Sequence, residues 1–131
     1  MVSVDKEHLI NQICLFLIDK AQRKETTTYQ TIAEQFGLPA SGNSLSTAVS
    51  PLLGAIFSWC ESVNIPPLTS IVVRKSGTRR GCPGKGFWVL YNAGGDFNVV
   101  DADDTKQVRD ITGDLHQMVF EFFDIGKKDP S

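Results

Sequence analysis

The segment Ser70-Ile71-Val72-Val73-Arg74-Lys75-Ser76-Gly77-Thr78-Arg79-Arg80-Gly81-Cys82-Pro83-Gly84-Lys85-Gly86-Phe87-Trp88-Val89-Leu90-Tyr91 decides how the chain is read. Its ends, Ser70–Val73 and Phe87–Tyr91, are short runs rich in β-branched, aromatic and other apolar residues, and its middle is punctuated by glycine. Runs of this kind bounded by turn residues predict a β-hairpin. The loop between them carries Arg74, Lys75, Arg79, Arg80 and Lys85, and the thirty-four residues from Ser62 to Gly95 contain no acid. A basic loop held between two strands can reach a phosphate backbone, where Lys and Arg release condensed counterions.

Upstream of this segment the pattern is helical. Leu9, Ile13, Phe16 and Leu17 recur at helical spacing beside Ile10, Cys14 and Ala21, which predicts a helix over about Val4 to Arg23 with Ser3 or Asp5 as its cap. Thr27-Thr28-Tyr29-Gln30 fits a capping box with Thr27 at the cap and Gln30 three residues on. Ile32, Ala33 and Phe36 then give a short helix its apolar face, Gly37 supplies a left-handed stop and Pro39 blocks continuation. A third helical stretch runs from about Ser44 to Val63, with Leu45, Val49, Leu52, Leu53, Ile56, Phe57 and Cys60 on its apolar stripe. Pro51 either kinks this stretch or breaks it. Asn64-Ile65-Pro66-Pro67 imposes an extended connection into the hairpin.

Downstream, Asn92–Asp96 reads as a turn and Phe97–Val100 as a small strand. A last helix, capped by Asp103, Asp104 or Thr105, extends to about Asp124, with Val108, Ile111, Leu115, Met118, Val119 and Phe122 as its buried stripe. Three helices followed by a two-stranded hairpin are the order of a winged helix-turn-helix. The expected fold class is therefore α+β, mainly α, with a β-hairpin wing and an added C-terminal helix. Residues 1–126 form one domain and Lys127 to Ser131 a mobile tail.

Charge is distributed unevenly. Residues 1–65 carry four bases and six acids, residues 66–95 five bases and none, and residues 96–131 four bases and nine acids, within a net charge of −2. This asymmetry marks a basic face beside an acidic surface, unless the two parts pair with each other. Cys14, Cys60 and Cys82 form no CxxC pair, and only His8 and His116 could join them, so no structural zinc site is expected. Cys14 and Cys60 fall in apolar patterns as buried thiols, whereas Cys82 stands among bases that would lower its pKa. Three free thiols suit a reducing cytoplasm, and with no signal peptide or membrane-length apolar run read at the start, a cytoplasmic protein without a membrane partner is expected.

Catalytic motifs do not emerge. His116 has no partner at a useful spacing and reads as a surface or boundary histidine. Asp101, Asp103 and Asp104 resemble half a calcium loop but read as a solvated helix cap. Gly84-Lys85-Gly86-Phe87 departs from a phosphate-binding P-loop. Trp88 and Tyr91 could stack on bases, although Phe87, Val89 and Tyr91 on one strand face read as core.

A family resemblance rests on residues spread from about 26 to 87. Thr28-Tyr29-Gln30-Thr31-Ile32-Ala33 with Gly37-Leu38-Pro39 resembles the Tyr-x-x-(Leu/Ile)-Ala…Gly-x-Pro segment of O6-alkylguanine-DNA alkyltransferases and alkyltransferase-like proteins. Thr47-Ala48-Val49 is similar to the Arg-Ala-Val of their recognition helix, and Val72-Val73…Ser76-Gly77…Gly81…Gly84 to their Val-Val…Gly…Gly pattern. The resemblance implies a winged-helix fold and DNA binding, with Tyr29 at the target phosphate. Where the family has Pro-Cys-His-Arg or Pro-Trp-His-Arg, this chain has Pro67-Leu68-Thr69-Ser70-Ile71, and Thr47 stands in place of the family's arginine. Alkyl transfer is thereby excluded.

The expected function is that of a non-catalytic nucleic-acid-binding module without cofactors, with duplex DNA as the leading partner. Arg74, Lys75, Arg79, Arg80 and Lys85 would be its phosphate contacts, and Tyr29, Asn43, Ser46 and Thr47 its helix-side contacts. No Arg or Lys lies between Glu25 and Arg74, so base reading would be weak. The alternative is a small inhibitor or adaptor, of the kind carried by phages and mobile elements, whose basic loop grips an acidic protein or a ribonucleoprotein.

Overall fold

The computed structural model describes residues 2–39, 42–93, 101 and 103–124, with the side chains of residues 2–5, 43, 44 and 46 outside that description. Of the turn predicted at Asn92–Asp96, Asn92 and Ala93 are helical instead, and the rest of it, the strand predicted at Phe97–Val100 and the tail at 127–131 lie outside the described residues.

Helices dominate the described chain. Helix α1 spans Val2–Gln22, starting ahead of the expected cap. It stops at Lys24, which adopts a left-handed φ of 58° and lets the Glu25 amide return to the Lys20 carbonyl at 2.9 Å. Strand β1, Thr27–Thr28, leads directly into α2, Tyr29–Gln35. The N-cap of α2 is Thr28 rather than Thr27: its hydroxyl accepts the Thr31 amide at 3.1 Å. The helix closes as expected, since Gly37 takes a φ of 72° and the Leu38 amide donates to the Ala33 carbonyl at 2.8 Å, the backbone signature of a Schellman stop.

Helix α3, Gly42–Ser62, runs unbroken through Pro51. Its apolar stripe is wide enough to hold the helix against the loss of one backbone hydrogen bond. Asn64 ends the following turn with a φ of 60°. A 3-10 turn over Leu68–Ile71 then feeds β2, Val72–Val73.

The predicted hairpin does not form. Strand β2 pairs in parallel with β1, Thr27 opposite Val72 and Thr28 opposite Val73. Phe87–Tyr91 is not a strand but the middle of helix α4, Lys85–Ala93. A strand would place Phe87, Val89 and Tyr91 on one face, whereas Val89 is 59% exposed while Phe87 and Trp88 are buried. Phe87, Trp88 and Tyr91 share a helical face, and their rings pack on one another and on Phe57 of α3.

Helix α5, Thr105–Phe122, is capped by Asp104, whose carboxylate accepts the Gln107 amide at 3.1 Å. Its buried face is Val108, Thr112, Leu115 and Val119. Met118 and Phe122, expected on the stripe, are exposed. Two apolar clusters organise these elements. The larger joins α1, α2, α3, the 3-10 turn and Val119 of α5. The smaller gathers Phe57, Cys82, Phe87, Trp88, Val108 and Leu115 beneath the basic loop. No helix among the described residues is long and apolar enough to cross a membrane.

Candidate nucleic-acid interface

The loop between β2 and α4 is built by its own backbone. Arg74 and Arg80 face each other in an isolated parallel bridge. The Arg74 amide donates to the Cys82 carbonyl at 2.9 Å, and the Gly81 amide returns to the Arg74 carbonyl at 3.0 Å. Gly77 and Gly81 turn the chain with φ near 90° and 84°, a region that side chains oppose. Sequence order alone separates Arg74 from Arg80, and this closure brings their backbones together.

Three side chains from elsewhere anchor the loop. The Tyr29 hydroxyl accepts the Gly84 amide at 2.6 Å. Burial pushes the Tyr29 phenol above its ordinary pKa, against the opposing pull of the Gly84 amide and the nearby Arg74. Lys75 donates to the amide oxygen of Gln30 at 3.1 Å, tying the loop to α2. Arg109 of α5 donates to the carbonyls of Thr78 and Arg80. Beneath the loop, Trp88 gives its indole N–H to the Pro83 carbonyl at 3.2 Å.

The structure thus brings together Tyr29, Arg74, Lys75, Arg79, Arg80 and Lys85. Arg79 is half-buried, and Arg74, Lys75, Arg80 and Lys85 are exposed. Lys85 opens α4, so a cation stands at the positive end of a helix dipole, where an anion is favoured instead. Thr47 is exposed in the second turn of α3, and none of the bonds just described ties it to the loop. The side chains of Asn43 and Ser46 lie outside the described residues.

Three expectations about chemistry change, and a fourth, the boundary position of His116, holds. Trp88, offered as a stacking platform, is 1% exposed and belongs to the core, and Tyr91 is half-buried against Phe87. Cys82 is buried rather than presented by the loop. Cys14 is only half-buried, and burial raises the pKa of both Cys14 and Cys60. His116 is partly buried, with Nε2 2.7 Å from the Ser70 carbonyl, and burial lowers its pKa. A carbonyl only accepts, so the bond requires a proton on Nε2, and it opposes the effect of burial on the pKa.

Among the described residues, no acid of the C-terminal third forms an ion pair with a loop cation. Asp101 and Asp104 cap backbone amides, and Asp110 pairs with Lys106 at 2.9 Å. Among the described residues, the ion pairs join Lys20 to Glu25, Arg23 to Asp19, Lys24 to Asp124 and Lys106 to Asp110. None involves a loop cation.

Sequence reasoning missed Gln30 as a loop anchor and Arg109 altogether. Arg109 follows buried Val108 on α5, a position that marks the edge of a buried face but does not say what lies opposite. No protein-family model, curated protein or solved structure matches the chain.

Proposed function

We propose that the protein is a non-catalytic nucleic-acid-binding module that grips a sugar–phosphate backbone with the cations of residues 74–85. One observation carries this reading: the acid-free loop keeps its cations clear of ion pairs among the described residues, although the chain has an excess of acids. Concentrating like charges costs folding free energy, and polyanionic phosphates offset it. The resemblance to alkyltransferase-like proteins points the same way and names duplex DNA as the first partner to test.

Affinity for a short DNA duplex, measured by fluorescence anisotropy across a salt series, tests the reading. With all five loop cations engaged, log K falls against log salt with a slope of at most about −4.5. Arg79→Ala with Arg80→Ala removes two contacts and flattens the slope by about 1.8. Unchanged binding by the double variant at every salt concentration sinks the proposal.

A second reading keeps the scaffold and exchanges the ligand for a protein. It is favoured by an apolar groove of about 520 Å³ between α1 and α3, lined by Ile10, Leu15, Ile18, Ala55 and Trp59 among others. Leu15 and Trp59 are 67% and 44% exposed there. Loss of a purified protein partner on Trp59→Asp, with duplex binding absent in the parent chain, would favour this reading.

A further inference from the structure

We infer that helix α5 is a clamp on the basic loop and that Arg109 is its positioning residue. The inference rests on the backbone-gripping reading above. The Arg109 guanidinium reaches back 29 and 31 residues to the Arg80 and Thr78 carbonyls. Thr78 and Arg80 are the chain neighbours of Arg79, so one side chain ties the backbone just before and just after a phosphate-binding candidate. The planar fork of an arginine presents two N–H groups at fixed spacing, a geometry that a lysine ammonium cannot reproduce.

The clamped stretch needs an outside tie. It is bounded by Gly77 and Gly81, both left-handed, and glycine loses the most conformational freedom on ordering. A loop ordered only on binding would forfeit affinity to that entropy.

A second anchor lies on the same face of α5. His116, seven residues after Arg109 and about 10 Å further along the helix, donates to the Ser70 carbonyl at 2.7 Å. The two side chains therefore bracket the segment from Ser70 to Arg80, which holds Arg74, Lys75 and Arg79. The helix itself is seated by Val108 and Leu115 in the small cluster that also holds Cys82 and Phe87.

Two measurements on the full chain test the clamp: hydrogen exchange at the Gly81 and Cys82 amides, and salt-titrated binding to a short DNA duplex. Arg109→Ala is expected to accelerate exchange at both amides by about tenfold or more. It should also flatten the salt slope by more than ~0.9, the value of a single phosphate contact. Arg109→Lys keeps the charge without the fork and should fall between the two. Lys106→Gln on the same helix is the charge control and should leave exchange unchanged. Arg109→Ala behaving like the control overturns the inference, as does faster exchange with a slope change of no more than ~0.9. Arg109→Lys matching the parent in both measurements overturns the fork, and it carries the test if Arg109→Ala does not fold. Absence of duplex binding by the parent chain overturns the backbone-gripping reading instead, and exchange alone then decides whether α5 clamps the loop.

Discussion

The hydroxyl of Tyr29 accepts the backbone amide of Gly84 at 2.6 Å, joining the first residue of α2 to the residue before α4 across 55 positions of sequence. The contact is close packed: a Cβ added at Gly84 would lie 3.1 Å from that oxygen. It makes Tyr29 a latch for the loop, whatever else its hydroxyl touches.

Tyr29→Phe keeps the ring and orphans the Gly84 amide. Leaving a partly buried donor unsatisfied costs about 1–3 kcal/mol, so the urea midpoint should fall with an unchanged m-value. A loss below about 0.5 kcal/mol would show that the amide finds another partner and that Tyr29 is no latch. Binding should weaken with stability, since the latch holds the loop's exit.

Trp88 is a core residue, and its fluorescence should report that. In a Trp59→Phe variant the remaining tryptophan should emit at short wavelength and resist acrylamide quenching. Addition of single-stranded DNA should leave that emission unquenched, because the ring is 1% exposed and offers no stacking face. Strong quenching by nucleic acid would place Trp88 at the interface and refute its core assignment. Trp88→Ala should destabilise the fold by about 3–5 kcal/mol.

His116 makes stability depend on pH. Burial lowers its folded pKa below the unfolded value of 6.5, so the unfolded chain binds the proton more readily. Its contribution is complete above the unfolded value and is lost as pH falls from there towards the lowered folded value. Melting temperatures measured on either side of pH 6.5 should decline towards acid, and His116→Gln should flatten that decline. An identical pH profile in the variant would show that His116 does not titrate on unfolding.

Pro51 sits inside an unbroken α3 and is exposed. Replacing it with alanine removes the helix penalty of proline but returns entropy to the unfolded chain. The balance predicts a gain of about 2 kcal/mol, visible as a higher urea midpoint by circular dichroism. A loss would show that the proline shapes α3 in a way the rest of the fold requires.

Where sequence reading succeeded, the signal was local and repeated. The helical spacing of Leu9, Ile13 and Leu17, the glycine stop at Gly37 and the aspartate cap of α5 each involve residues within a few positions of one another. The capping box at Thr27 was displaced by one residue because adjacent threonines offer the same chemistry, and only backbone geometry chooses between them. Phe87–Tyr91 misled because a five-residue apolar run is too short for its period to separate strand from helix. Asn43 and Ser46 remain candidates from sequence alone.

The amino-acid order by itself determined the long helices and the density of positive charge between Arg74 and Lys85, because periodicity and charge are properties of neighbours. Tertiary structure decided what that charge is mounted on. Packing of Phe87 against Phe57 and burial of Trp88 draw the run after the loop into a helix, since a strand would expose part of that aromatic surface. Strand β2, deprived of a hairpin partner, pairs in parallel with Thr27–Thr28. The loop is then held by Tyr29, Gln30 and Arg109, whose bonds span 29 to 55 residues. Such contacts carry no local pattern and exist only once the chain has folded.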